Sequence, residues 1–136
     1  MSRTQTAHIH TTEAPEPVGA YSQGVAANGF VFTAGQVGID AAGNLAGTDI
    51  VTQANQTFRN ITAILAAAGT TPANLIKTTV YLKNTDDFKT VNELYAAWVG
   101  SPAPARTTIA VAWLALGALI EVECVAAIPQ APEPSR

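Results

Sequence analysis

The sequence predicts an α+β domain, a mixed sheet of six strands with two amphipathic helices on one of its faces. Three observations carry that expectation. Two segments place apolar residues at alternating steps of three and four, and each stops at a glycine. Six shorter segments are rich in β-branched or aromatic residues, and two of them flank Asn28-Gly29. The elements run strands, helix, strand, helix, strand pair, an order that segregates helices from one sheet face. At 136 residues the chain suits a single domain, with a core over about 8–128 and tails at 1–7 and 129–136.

Residues 8–12 read as a short edge strand, followed by a segment broken by Pro15 and Pro17. Segments 21–27 and 30–36 form a hairpin, because both residues of Asn28-Gly29 tolerate positive φ. Residues 40–47 are rich in turn formers, and Thr48 is placed to cap a helix that ends before Gly69. Val51, Ala54, Phe58, Ile61, Leu65 and Ala68 form its apolar stripe. Thr71-Pro72 starts a short helical turn, and residues 76–83 alternate as a strand. Asp86 or Asp87 caps the second helix, where Phe88, Val91, Tyr95 and Trp98 repeat the spacing up to Gly100. Strands at 109–114 and 119–128 follow, joined by residues 115–118. Ile109 to Ile128 is almost wholly apolar over a membrane-like length, but Glu121, Glu123, Gly117 and the β-branched content favour two buried strands and a turn.

Only 12% of residues are charged and 48% are hydrophobic, which excludes disorder and predicts that partner copies cover part of the surface. With both helices on one face, the other sheet face needs another subunit. The net charge is −3 and the seven basic residues are scattered, so no surface tracks phosphates and nucleic acid is not the expected partner. Cys124 is the lone cysteine and reads as a buried, inert thiol. The first ten residues lack an apolar run of signal-peptide length, so the cytoplasm is expected. His8 and His10 lie two apart in a polar terminus with no third ligand, so no metal is expected.

Arg106 stands out, a lone guanidinium in Pro104-Ala105-Arg106-Thr107-Thr108 at the head of an apolar run. Its planar fork suits a carboxylate, either of a protein acid in a structural ion pair or of a small ligand. Glu121 and Glu123, two apart on a strand and so on one face, are carboxylates among β-branched residues. In a hairpin centred on Leu116-Gly117, Glu121 would face Val111, about 17 Å along the ladder from Arg106. A pocket holding both then needs two subunits. Trp98 and Trp113 are most simply core or interface residues.

Gly19-Ala20-Tyr21-Ser22-Gln23-Gly24, Phe32-Thr33-Ala34-Gly35-Gln36, Lys77-Thr78-Thr79-Val80-Tyr81-Leu82, Asp87-Phe88, Val91-Asn92-Glu93-Leu94-Tyr95, Pro104-Ala105-Arg106 and Ile120-Glu121-Val122-Glu123 occur in that order. Together these segments resemble the successive signatures of the RidA/YjgF family. The resemblance implies a chorismate-mutase-like subunit in a homotrimer, with three pockets between neighbouring chains. It also implies a cofactor-independent enamine/imine deaminase acting on 2-aminoacrylate-type carboxylates. Carried onto this sequence, it makes Arg106 the carboxylate binder, Glu121 the residue that orients water, and Tyr21 a pocket tyrosine. Asn92 and the backbone of Gly35 complete the pocket. Ala34 stands where a serine is common and Thr108 where a cysteine is common, while Ala20 and Ala115 replace prolines; the first two bear on the substrate's side chain. Two further readings stand beside it: a non-catalytic protein that binds small carboxylates, and an endoribonuclease or translation inhibitor, which the charge balance disfavours.

Overall fold

In the computed structural model residues 5–130 are described, so residues 1–4 and 131–136 of the predicted tails at 1–7 and 129–136 lie outside the described residues. The elements are β1 (Ala7–Ile9), β2 (Gly24–Ala27), β3 (Phe30–Thr33), β4 (Gln36–Val37), α1 (Ile50–Ala67), β5 (Leu75–Leu82), α2 (Phe88–Val99), β6 (Ala105–Ala110) and β7 (Ile120–Ala127). They build one mixed sheet in the order β1-β2-β3-β7-β5-β6, with β4 paired to β7 beyond the end of β3. All neighbours are antiparallel except β5 and β6.

The hairpin forms as its turn residues dictate, with Asn28 at φ 53° and Gly29 at φ 84°. Its second strand does not run unbroken to Gln36. Phe32 pairs with Val125 but Gln36 pairs with Val122, so four residues on one side span three on the other. That extra residue is a bulge at Thr33-Ala34-Gly35; it detaches β4 as a seventh strand and turns Gly35 toward β7.

Helix α1 starts one residue later than expected. Its cap is Asp49 rather than Thr48, because the Asp49 carboxylate accepts from Thr52 N at 3.0 Å at the positive end of the helix. Ala54, Phe58, Ile61, Ile64 and Leu65 are buried against the sheet, whereas Val51 in the first turn stays exposed. The stripe hides a polar flank. Buried Asn60 donates to the carbonyls of Val37 and Ile39 at 3.1 and 2.8 Å. Buried Gln53 accepts from Leu119 N at 2.8 Å and donates to Gly47 O at 2.9 Å. These bonds fasten α1 to β4 and to the chain entering β7.

The predicted hairpin of the last two strands does not form. Strand β6 starts earlier, at Ala105, and runs parallel to β5 with Thr78 opposite Arg106. Strand β7 lies on the other flank of β5, with Tyr81 opposite Glu121. The cause is α2, which turns β5-α2-β6 into a crossover, and a crossover returns a strand parallel to its predecessor. Asp87 occupies the cap position of α2 without a side-chain bond, since a 3₁₀ turn over Thr85–Asp87 already leads into the helix.

Alternation then assigns the two faces. Val31, Thr78, Val80, Leu82, Ile120, Val122, Cys124 and Ala126 are buried on the face that bears α1 and α2. Phe32, Tyr81, Glu121, Glu123 and Val125 lie on the opposite face, which no helix covers. Burial pushes the Cys124 thiol up to about 11, as its position in the core requires.

Candidate active site

Glu121 sits in the middle of the uncovered face, flanked by Tyr81 of β5 and Val37 of β4. The bulge brings Gly35 so close that a Cβ there would stand 2.9 Å from the Glu121 carboxyl carbon. Burial first, and the charge of Glu123 second, raise the Glu121 carboxyl above the ordinary carboxylate range. Glu123 is held apart from it by the Tyr81 hydroxyl, which donates to the Glu123 carboxylate. Glu121 opens into a cavity of about 580 Å³ lined also by Tyr21, Gly35, Val37, Val18 and Leu116.

The wall of this cavity is the Pro-broken segment, and Gln23 holds it. Its amide oxygen accepts from Thr11 N at 2.8 Å, while its nitrogen donates to the carbonyls of Thr11, Ala14 and Pro15. Tyr21 is half exposed at the mouth, and its hydroxyl accepts from Val18 N at 3.3 Å. Ala34, next to Gly35, donates its backbone N–H to Gln23 O at 2.8 Å.

Arg106 lies elsewhere, on β6 at the sheet edge and on the helix-bearing face, as its pairing with Thr78 dictates. Its Nη1 donates to Asn92 Oδ1 at 2.8 Å, and the guanidinium lies over Tyr95 at 4.8 Å and Phe88 at 5.8 Å from the ring centroids. Among the described residues no Lys or Arg lies within 4.0 Å of a carboxylate oxygen, so the structural ion pair open to Arg106 in the sequence is not made. A second cavity of about 360 Å³ borders Arg106, Asn92 and Tyr95. Tyr95 is locked by a 2.6 Å bond to Thr78, and Thr108, two residues along the same face of β6, keeps a buried hydroxyl without a partner.

The predicted site residues thus fall into two groups. Glu121, Gly35, Ala34 and Tyr21 cluster on one side; Arg106, Asn92 and Thr108 cluster on the other. Thr78 and Tyr81 are three apart on β5, so the residues paired with them point to opposite faces. Arg106 and Glu121 therefore cannot meet within one chain, for a reason of parity rather than the hairpin separation expected from sequence. Tyr95 and Phe88 were read only as stripe residues, yet they form the guanidinium platform. Asn92 and Tyr95, three apart on a helix, carried that signal. Gln23 and Tyr81 gave none, because their partners are distant in sequence.

Gly35→Ala is expected to displace the Glu121 carboxylate and to lower kcat by up to about 10²-fold, the cost a misplacement of around 1 Å can carry. Unchanged turnover with a folded variant would show that the close approach is incidental. Among the described residues no three metal-ligating side chains gather, and His8 and His10 instead bond Ser22 and Glu16. No helix among them is long and apolar enough to cross a membrane.

The family model for Endoribonuclease L-PSP matches residues 11–128. A RutC family protein of Synechocystis is 43% identical over 124 residues, covering 89% of this chain and 95% of the relative. The 2-iminobutanoate/2-iminopropanoate deaminase of Mus musculus is 41% identical over 119 residues, covering 87% of this chain and 88% of the relative. The crystal structure of RidA from an Antarctic Psychrobacter superposes with a TM-score of 0.87 at 37% identity, covering 90% of this chain and 99% of that one. Fold, matched segment and relatives agree, and the chain belongs to the RidA/YjgF family, the endoribonuclease L-PSP family of that model.

Proposed function

We propose that this protein hydrolyses reactive 2-enamino and 2-imino carboxylates to 2-oxo acids and ammonia, in pockets shared by neighbouring chains of a homotrimer. The observation that carries the reading is the pair of half-sites. An arginine with no acidic partner among the described residues and a half-buried carboxylate of raised pKa stand on opposite faces of one sheet. Each is incomplete alone. A neighbouring chain that covers the open face would bring its Arg106 to this chain's Glu121, and the exposed Phe30, Phe32 and Ile109 support such an interface. The name of the mouse relative supports the same chemistry. We place the activity in the cytoplasm, where a free thiol such as Cys124 stays reduced.

The roles follow from the groups. Arg106 grips the substrate carboxylate with its fork, held by Asn92 and the Tyr95 ring, and so fixes C2 beside Glu121. An enamine first takes a proton on C3 to become the imine, from Tyr21, Glu121 or solvent. Glu121 then accepts a proton from water as the oxygen bonds to C2, giving the carbinolamine. The protonated Glu121 returns that proton to the nitrogen; its carboxylate then takes the C2 hydroxyl proton as the C=O bond forms and the C–N bond breaks, the 2-oxo acid and ammonia leave, and Glu121 gives the proton up to water. The raised Glu121 pKa suits a group that must both take and give. These residues require no further reactant than water.

The test is to generate 2-aminoacrylate and 2-iminobutanoate in situ with a dehydratase and follow 2-oxo acid and ammonia. Catalytic amounts of protein should speed decay well beyond spontaneous hydrolysis. Decay at the uncatalysed rate, with 2-oxo acids still bound, would assign the pocket to carboxylate sensing or sequestration instead.

A further inference from the structure

We infer that, within the deaminase reading, this site takes 2-imino acids with bulky apolar side chains, branched or aromatic, and that Leu116 and Val18 form the surface selecting them. The inference rests on that reading. Its starting point is an anomaly in the chain between β6 and β7. Leu116 holds φ 59° and ψ 20°, a left-handed conformation that large side chains rarely adopt, and is 62% exposed. Val18, on the Gln23-anchored segment, is 90% exposed. Neither belongs to the buried core. Both border the cavity above Glu121.

Strain and apolar exposure at one place mark a surface shaped for a contact. The rest of the cavity identifies the contact. Pro15, Val37 and Ile39 extend the apolar lining beyond Glu121, while its charged residues, Glu16 and Glu121, are both acidic. Those two carboxylates repel an acidic side chain, and of the other lining side chains only Tyr21 and Gln36 are polar. On the single chain the cavity measures about 580 Å³, before the neighbour that carries Arg106 closes it, so the apolar character of its lining, rather than its size, bears on the substituent. With the carboxylate drawn toward a neighbour's Arg106 and C2 over Glu121, the substituent on C2 extends into this lining.

The experiment compares kcat/KM for imino acids released in situ by an amino-acid oxidase from leucine, phenylalanine and 2-aminobutanoate. The leucine and phenylalanine products should be favoured over the four-carbon one by about tenfold or more, the discrimination that a few methylenes provide in an apolar pocket. Leu116→Gly suits the left-handed backbone, and should cut that preference through KM. Equal efficiency for all three, or a preference that Leu116→Gly does not move, overturns the inference, as does loss of the assembly in that variant. If no imino acid is turned over, the deaminase reading falls separately. Calorimetry with the product-like 4-methyl-2-oxopentanoate and pyruvate then decides the pocket: tighter binding of the former sustains its apolar preference, and equal binding ends it.

Discussion

Replacing Arg106 by alanine is expected to lower kcat/KM by about 10²- to 10³-fold, the cost of removing one preorganised charged donor from a reacting site. Binding of 2-oxo acids should fall with it. Among the described residues the guanidinium hydrogen-bonds Asn92, lies over two rings and pairs with no acid, so the fold should survive the change. Arg106→Lys should recover little, because an ammonium cannot offer two parallel donors or stack flat on Tyr95. A mixing experiment adds a sharper test. Arg106→Ala and Glu121→Gln chains, each nearly inactive alone, should regain about one quarter of wild-type activity when reassembled at random, since a cyclic interface takes one residue from each neighbour. No recovery after verified exchange of chains would mean that the two groups share no pocket across the interface. A monomer mass by light scattering would remove the trimer itself.

Glu121→Gln carries the second large effect. It keeps the shape of the side chain and removes its capacity to accept a proton, so kcat should fall by about 10²- to 10⁴-fold while binding of 2-oxo acids changes far less. The pH profile provides a signature that a structural role would not produce. Burial and the Glu123 charge both raise the Glu121 pKa, so its basic form appears only above the ordinary carboxylate range. The acid limb of kcat/KM should lie there, with activity rising as pH increases through it. Glu123→Gln removes one of the two causes, so the limb should move to lower pH; burial remains, so it should not return all the way. An acid limb that Glu123→Gln leaves in place would detach the profile from Glu121.

Much of the local structure was readable along the chain. Steps of three and four located both helices, Asn28-Gly29 placed a turn, and Gly69 at φ 88° and Gly100 at φ 70° end the helices where expected. Such signals depend on residues within a turn or two of each other, which is why they survive without the rest of the molecule. Where they failed, competition was also local: Asp49 took the cap from Thr48 because a carboxylate is the better partner for the helix dipole.

The site residues were visible one by one, but their division was not. Period-two alternation states which residues of a strand share a face; it does not state which strand lies alongside. That choice belonged to α2, whose burial against the sheet requires β6 to return parallel to β5 and so leaves β7 on the far flank. The order of strands sets Arg106 opposite Thr78 and Glu121 opposite Tyr81, and parity then sends them to opposite faces. The bulge that seats Gly35 against Glu121 arises the same way, from a single residue of mismatch between strands some ninety positions apart in sequence. Residue chemistry named an arginine and a glutamate fit for a carboxylate and a proton. Long-range packing separated them across a sheet, and that separation is why completing the proposed site calls for a second chain.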